Sequence, residues 1–244
     1  MERTCPRCQS TQISKNGFRG KKQNYRCREC RRQFIDNPQS HRGYSDDVRE
    51  SCLKMYLNGL GFRAIERVTG VHHTTVGLWV KQADAHLQEQ SVSTEDKSIA
   101  PFPEVGELDE LHTFVGQKNK RWLWTAVNHF RPGILDWTLG DRSARTFAVL
   151  WRRIQSWQCF FWVTDGWNVY GQFLPDEDRI ISKTYMTRVE SENTRLRHYL
   201  ARLKRRGLCY SKSEEMLEAS IRLLLHYLRT GQVPLPKRQP TLLS

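Results

Sequence analysis

The sequence predicts an α/β protein: a mixed β-sheet with flanking helices, preceded by a small metal-built ribbon and a three-helix module. Three observations lead there. Two Cys-x-x-Cys pairs, CPRC and CREC, stand near the start, and helical periodicity takes over across residues 44–87. From residue 105 to 230, strand-like and helix-like patterns alternate, and one apolar strand, FFWVTDGW, runs straight into an acid, Asp165. The predicted boundaries are 1–42 for the ribbon, 43–87 for the helical module and 105–230 for the α/β domain. The polar stretch 88–104, with two prolines, reads as a linker, and 231–244, with three, as a flexible tail.

The formal charge is +13, and it is concentrated. Residues 1–34 hold ten Lys/Arg against two acids, and residues 183–212 hold nine against two. Such clusters call for a polyanionic partner, because neutralising phosphates releases condensed counterions. Nucleic acid is the partner this predicts. There is no run of 18 or more apolar residues, and the start MERTCPRCQS lacks an apolar leader. A soluble cytoplasmic protein with no membrane partner is expected.

The first block reads C-x2-C-x18-C-x2-C, from Cys5 and Cys8 to Cys27 and Cys30. That spacing suits four thiolates around one tetrahedral Zn2+. About forty residues bury too little surface to fold alone, so one structural zinc would supply the folding free energy. Gly17, Gly20, Tyr25 and Phe34 fit short strands. The segment RGKKQNYRCRECRRQF offers Arg19, Lys21, Lys22 and Arg26 to phosphates. Cys52, Cys159 and Cys209 lack partner spacing and read as buried thiols.

In the second block Ser45 is a good N-cap, with Asp46 and Asp47 in the first turn. Val48, Cys52, Met55 and Tyr56 recur at helical spacing until Gly59 and Gly61. FRAIERVTG makes a short second helix, and TTVGLWVKQADAHL a third with Val76, Trp79 and Val80 inward. Two helices joined by a Gly-containing turn fit a helix-turn-helix that binds double-stranded DNA. Thr74, Thr75 and Lys81 are its candidate contacts.

The third block opens with three strand patterns, 106–117, 121–130 and 133–141, joined by tight turns as an antiparallel meander. Residues 143–157 read as an amphipathic helix with Ala144, Phe147, Leu150, Trp151 and Ile154 on its core face. A buried strand follows over 159–166, another over 179–185, and a long helix over 186–206 striped by Val189, Leu196, Leu200 and Leu203. This order is that of the ribonuclease-H-like mixed sheet, in which the first and fourth strands lie side by side. Asp109 and Asp165 would then meet. Glu190 lies about 100° round the helix from Val189 and can close the group. On spacing alone Glu107 and Glu110 compete with Asp109, and Glu192 with Glu190. Converging carboxylates repel unless cations neutralise them. Hard oxygen ligands suit two Mg2+ (or Mn2+), the arrangement used in phosphoryl transfer.

Four stretches carry a family resemblance: ELDELHTFVG, FWVTDGWNVY, ISKTYMTRVESENTRLRHYLARLKRR and CYSKSEEMLEASIRLLLHYL. With the CPRC start they resemble the bacterial transposases of the insertion-sequence-one family across nearly the whole chain. The TDGW strand end and the R-V-E-x-x-N helix start are the most specific pieces. The resemblance implies a DDE transposase whose acids match Asp109, Asp165 and Glu190. It implies binding of terminal inverted repeats, cleavage at element ends, joining to target DNA, and at least a dimer on DNA, in the cytoplasm and on the nucleoid. The basic run on and after the last helix then offers Arg195, Arg197 and Lys204 to phosphates, beside Arg188, Arg202, Arg205 and Arg206.

Overall fold

The computed structural model describes residues 3–20, 22–35, 43–93, 102–116, 119–203 and 209–236. Lys21, Lys204, Arg205 and Arg206 lie outside the described residues, as do residues 94–101 of the stretch read as a linker. The chain divides into two compact units, one ending at Ser45 and one spanning Asp46–Pro236.

The first unit is a three-stranded antiparallel sheet: β1 (Ile13–Arg19), β2 (Lys22–Cys27) and β3 (Gln33–Ile35), in that order. Its buried hydrophobic residues, among those described, are Cys5, Tyr25 and Cys27. That is too small a core for a free-standing fold. Gln9 and Arg31, each directly after a Cys-x-x-Cys, share a left-handed φ of 58°. The two loops therefore turn in the same way directly after each Cys-x-x-Cys.

The second unit begins with α1 (Asp46–Leu57), α2 (Phe62–Thr69) and α3 (His73–Ser93). Helix α3 runs on past Leu87, because Gln88, Glu89 and Gln90 are good helix formers and no breaker stands among them. The sheet follows: β4 (Val105–Val115), β5 (Asn119–Asn128), β6 (Ile134–Gly140), α4 (Ala144–Ile154), β7 (Phe161–Thr164) and β8 (Arg179–Ile181). Strand order is β6-β5-β4-β7-β8. The first three strands pair antiparallel, while β7 runs parallel to β4 and β8 parallel to β7. This five-stranded mixed sheet fits the ribonuclease-H-like fold. Gly106 permits the β4–β7 contact, since a Cβ there would come within 2.4 Å of the Trp162 ring.

Alternation along β4 splits the core. Leu108 faces Trp124, Phe147, Leu150 and Tyr170 on the α4 side. Leu111 and Val115 face the other side, which is covered by α5 (Thr187–Tyr199) and α6 (Glu214–Thr230). The three-helix block belongs to that same cluster through Leu53, Tyr56 and Val80. Polar ties reinforce it: Tyr56 and Ser220 hydroxyls meet at 2.8 Å, and the Arg222 guanidinium donates to Asp84 at 2.8 Å.

Three expectations change. Helix α5 stops at Tyr199 rather than near 206, and residues Ala201–Leu203 form one turn of 3-10 helix. The Arg202 carbonyl there accepts from the Thr113 hydroxyl at 2.6 Å, a sheet contact that a continuing α-helix would not present. The tail does not begin loose, because Pro234 is buried and Val233 and Leu235 pack on the core. Cys52 is buried and Cys159 half-buried, but Cys209 is exposed.

Candidate active site and metal centre

The acidic site is built from register. Glu107 pairs with Val163 in the parallel β4–β7 ladder, so continuing two residues brings Asp109 beside Asp165. Asp109 lies in mid-strand, and Asp165 immediately follows β7. The Asp165 side chain accepts from the Trp167 N–H at 3.0 Å, which fixes the turn after the strand. Asp109 accepts from Asn193 Nδ2 at 2.7 Å, and the same amide's Oδ1 accepts from the Thr125 hydroxyl at 3.1 Å. Thr125 is the cross-strand neighbour of Asp109 on β5, and Asn193 stands on α5. Two elements thus hold one carboxylate in place.

Burial pushes the Asp109 carboxyl above its ordinary range. The Asn193 hydrogen bond opposes that shift, and the nearby charges of Asp165 and Glu190 add to it. The three acids therefore feel one another. Their oxygens do not all close to the 4.8 Å that gathers the four cysteine sulfurs. Glu190 is exposed in the first turn of α5, where the helix dipole favours a carboxylate. Among the described residues its carboxylate takes no hydrogen bond or ion pair.

The neighbouring acids have other partners. Fully buried Glu107 accepts from the Val189 N–H at 2.7 Å and pairs with His129 Nδ1. It pins the first turn of α5, and with it Glu190, to the sheet. Glu110 points to the α4 side, accepting from the Tyr170 hydroxyl at 2.7 Å and from Arg142. Burial raises its pKa, and those two partners oppose the rise. Glu192 is buried and accepts from the Gly133 N–H at 2.8 Å. Sequence reasoning left these roles unread, since each partner is distant in sequence and only the fold brings it close.

Two expected outcomes follow. Folding raises the Asp109 pKa, so the folded chain binds that proton more tightly than the unfolded chain. The resulting stabilisation is present at low pH and is lost as pH rises through the raised pKa. Asp109→Asn keeps an acceptor for Asn193 and removes the buried charge. It should raise the metal-free melting temperature at neutral pH by about 2–4 °C, the change that ~1 kcal/mol makes in a domain of this size. A lower melting temperature would contradict this account. Glu107→Ala should orphan the Val189 N–H, at a cost of about 1–3 kcal/mol. Hydrogen exchange should then quicken at 187–190 while β4 and β5 stay protected.

Carboxylate oxygens without cationic side chains against them suit a hard divalent ion. Asp109 meets a neutral amide and Asp165 a backbone N–H. The donor set therefore fits Mg2+ or Mn2+.

The sulfur site is tighter. Cys5 and Cys30 Sγ are 3.5 Å apart, Cys8 and Cys27 Sγ 3.6 Å, and all four sulfurs lie within 4.8 Å of one another. A tetrahedron with Zn–S bonds of 2.3 Å has edges of about 3.8 Å, so the four sulfurs fit zinc. Crowding splits the acidities of Cys5 and Cys8. For Cys5, desolvation is outweighed by the backbone at Cys8 and Arg7 and by the neighbouring thiols, bringing it down to about 6. Cys8 has a backbone hydrogen bond at Ser10 that favours its thiolate, but desolvation and three neighbouring sulfurs push it up to about 12.

Comparison with known proteins decides the family. A family model described as IS1 transposase matches residues 104–230. The chain belongs to the IS1 transposase family. It is similar to the insertion element IS1 9 protein InsB of Escherichia coli (strain K12), 34% identical over 156 residues, which are 62% of this chain and 92% of that protein. The insertion element IS1 protein InsB of Haemophilus ducreyi gives the same 34% over 156 residues, with the same shares of 62% and 92%. Transposases act on DNA, cutting and joining it, and this transposase places an acidic site on a fold suited to that chemistry.

The predicted DNA contacts scatter across both units. Arg19, Lys22 and Arg26 are exposed in the first unit. Thr74 and Lys81 are exposed on α3 and Thr75 half-buried, with Lys81 Nζ at 3.4 Å from Glu215. Arg195 and Arg197 are half-buried on α5, and Arg195 lies 3.7 Å from Glu192. Arg202 turns inward: it covers the Tyr56 ring at 4.7 Å and donates to Ser220 at 3.1 Å. No helix among the described residues is long and apolar enough to cross a membrane.

Proposed function

We propose that this transposase binds the terminal inverted repeats of its own element, cleaves the DNA at the element ends and joins the freed 3′-OH to target DNA. The observation that carries the reading is Asp109 beside Asp165 in the β4–β7 register, with Glu190 near enough to act on the same carboxyl. Asp109, Asp165 and Glu190 would hold two Mg2+ (or Mn2+). When bound, such ions would supply charge neutralisation at the phosphate. In the first step water adds to phosphorus, the bond to the 3′ oxygen breaks, and a 3′-OH leaves. In the second, that 3′-OH adds to a target phosphate and displaces the target's own 3′ oxygen.

The chain's other residues position these groups. Asn193 and Thr125 orient Asp109, and Glu107 holds the helix that carries Glu190. Arg195 and Arg197 on α5 grip phosphates near the acids, with Lys204 beyond. Residues 1–42 form a ribbon around one Zn2+ that brings Arg19, Lys21, Lys22 and Arg26 to the backbone. Residues 43–87 act as a helix-turn-helix, with Thr74, Thr75 and Lys81 of α3 toward DNA. Domain 105–230 does the chemistry. Two ends cut in concert call for at least a dimer on DNA.

A strand-transfer assay tests this, using labelled element-end DNA, a supercoiled target and Mg2+. Joined product supports the reading. Nicking without joining would leave a nuclease, and binding with neither would leave a DNA-binding regulator.

A further inference from the structure

The corner between α2 and α3 holds a second group of metal-ligating side chains, separate from both sites above. Glu66 comes from α2, His72 from the turn and His73 from the first position of α3. Each offers one ligand atom, and the three atoms lie within 4.8 Å of one another. We propose that Glu66, His72 and His73 bind one divalent transition-metal ion of the zinc class, which clasps α2 to the start of α3.

The backbone brings these groups together. Gly70 closes α2 with a left-handed φ of 71°, and its N–H donates to the Glu66 carbonyl at 2.8 Å. That reversal returns the chain over Glu66 within two residues. His73 Nδ1 lies 2.7 Å from one Glu66 carboxylate oxygen, and His72 Nε2 lies 3.9 Å from the other. The two imidazole rings sit 4.3 Å apart. His72 Nδ1 is taken by the Thr74 hydroxyl at 2.7 Å, which turns Nε2 toward Glu66. Such an outer partner fixes a ligating imidazole in place. Two imidazoles and a carboxylate form a donor set that zinc takes with positions left for water. The side chains are 58% (His72), 35% (His73) and 33% (Glu66) exposed, so an ion can enter from solvent. Contact between the two histidines and Glu66 also fits a plain ion pair, and metal binding separates the two cases.

The test uses the full chain with its sulfur site loaded. Zn2+ per chain is measured after gel filtration, and Co2+ is titrated by calorimetry and visible absorption. Wild type should hold one equivalent more than His72→Ala, with a Kd of about 10 μM or tighter. The extra Co2+ should add visible d–d absorption without further thiolate charge transfer. Glu66→Gln should lose the same equivalent, while exposed His72→Ala keeps the metal-free melting temperature and so guards against misfolding. Equal metal content in wild type and His72→Ala, or a Kd weaker than about 1 mM, overturns the proposal. Neither result depends on DNA cleavage or joining, so the proposal and the transposition mechanism fail separately.

Discussion

Asp165→Asn is expected to abolish cleavage and joining while leaving element-end binding intact. The substitution is nearly isosteric. Asn keeps an oxygen to accept from the Trp167 N–H, now met at 3.0 Å, so the turn after β7 should hold. What disappears is one negative charge at the point where β4 and β7 converge. Removing a single preorganised charge-stabilising group typically costs roughly 10²–10³-fold in rate. Losing a charge proposed to hold the ion should cost at least that. Stability should move little, because Asp165 is only half-buried and carries no buried ion pair. Three measurements check this together: strand transfer, a gel-shift titration of element-end DNA, and thermal unfolding. Joined product at the wild-type rate would remove Asp165 from the chemistry. Lost end binding would mean that the acidic site and the DNA-binding surface are not independent.

The sheet is legible because short apolar, aromatic-rich runs are bounded by turn residues, and because an apolar strand ending on Asp165 is hard to explain as packing. The order of those elements then predicted β4 beside β7, which the ladder bears out from Val105↔Phe161 to Glu107↔Val163. What periodicity cannot encode is the partner of an amphipathic face. The three-helix block reads as a unit of its own in sequence. In the fold its Tyr56 meets Ser220, and Leu53 shares a cluster with Leu217 and Leu224. The end of α5 was misjudged for a related reason. Its apolar stripe continues through Leu200 and Leu203, both buried, but a turn of 3-10 helix delivers Leu203 to the core as well as an α-helix would. The choice between Glu190 and Glu192 is instructive. Glu192 is buried, and its carboxylate accepts from the Gly133 N–H. Glu190 stays exposed with its oxygens uncommitted among the described residues.

Replacing both Cys5 and Cys8 with Ser is expected to unfold the first unit and leave the second standing. The argument is one of magnitudes. Zinc in a small cysteine module contributes about 10–16 kcal/mol, whereas a whole domain is stable by about 5–15. Among the described residues of the first unit, the buried hydrophobic ones are two of the proposed ligands, Cys5 and Cys27, together with Tyr25. Without the ion, Tyr25 is the remaining buried hydrophobic residue among those described, too little to hold β1, β2 and β3 together. Serine is a poor zinc ligand, since its hydroxyl stays protonated at neutral pH and is hard where zinc favours sulfur. The Asp46–Pro236 unit has its own two clusters, centred on Leu111 and Trp124, and should keep its cooperative unfolding. The double variant should therefore lose one zinc equivalent, expose residues 3–35 to protease, and bind element-end DNA more weakly. Its second-unit melting temperature should stay within a degree or so of wild type. Unchanged zinc content with a protease-resistant first unit would mean that these sulfurs do not hold the ion. Intact zinc loss with undiminished end binding would instead leave the ribbon folded by metal but idle on DNA, and would shift recognition of the element ends to the second unit.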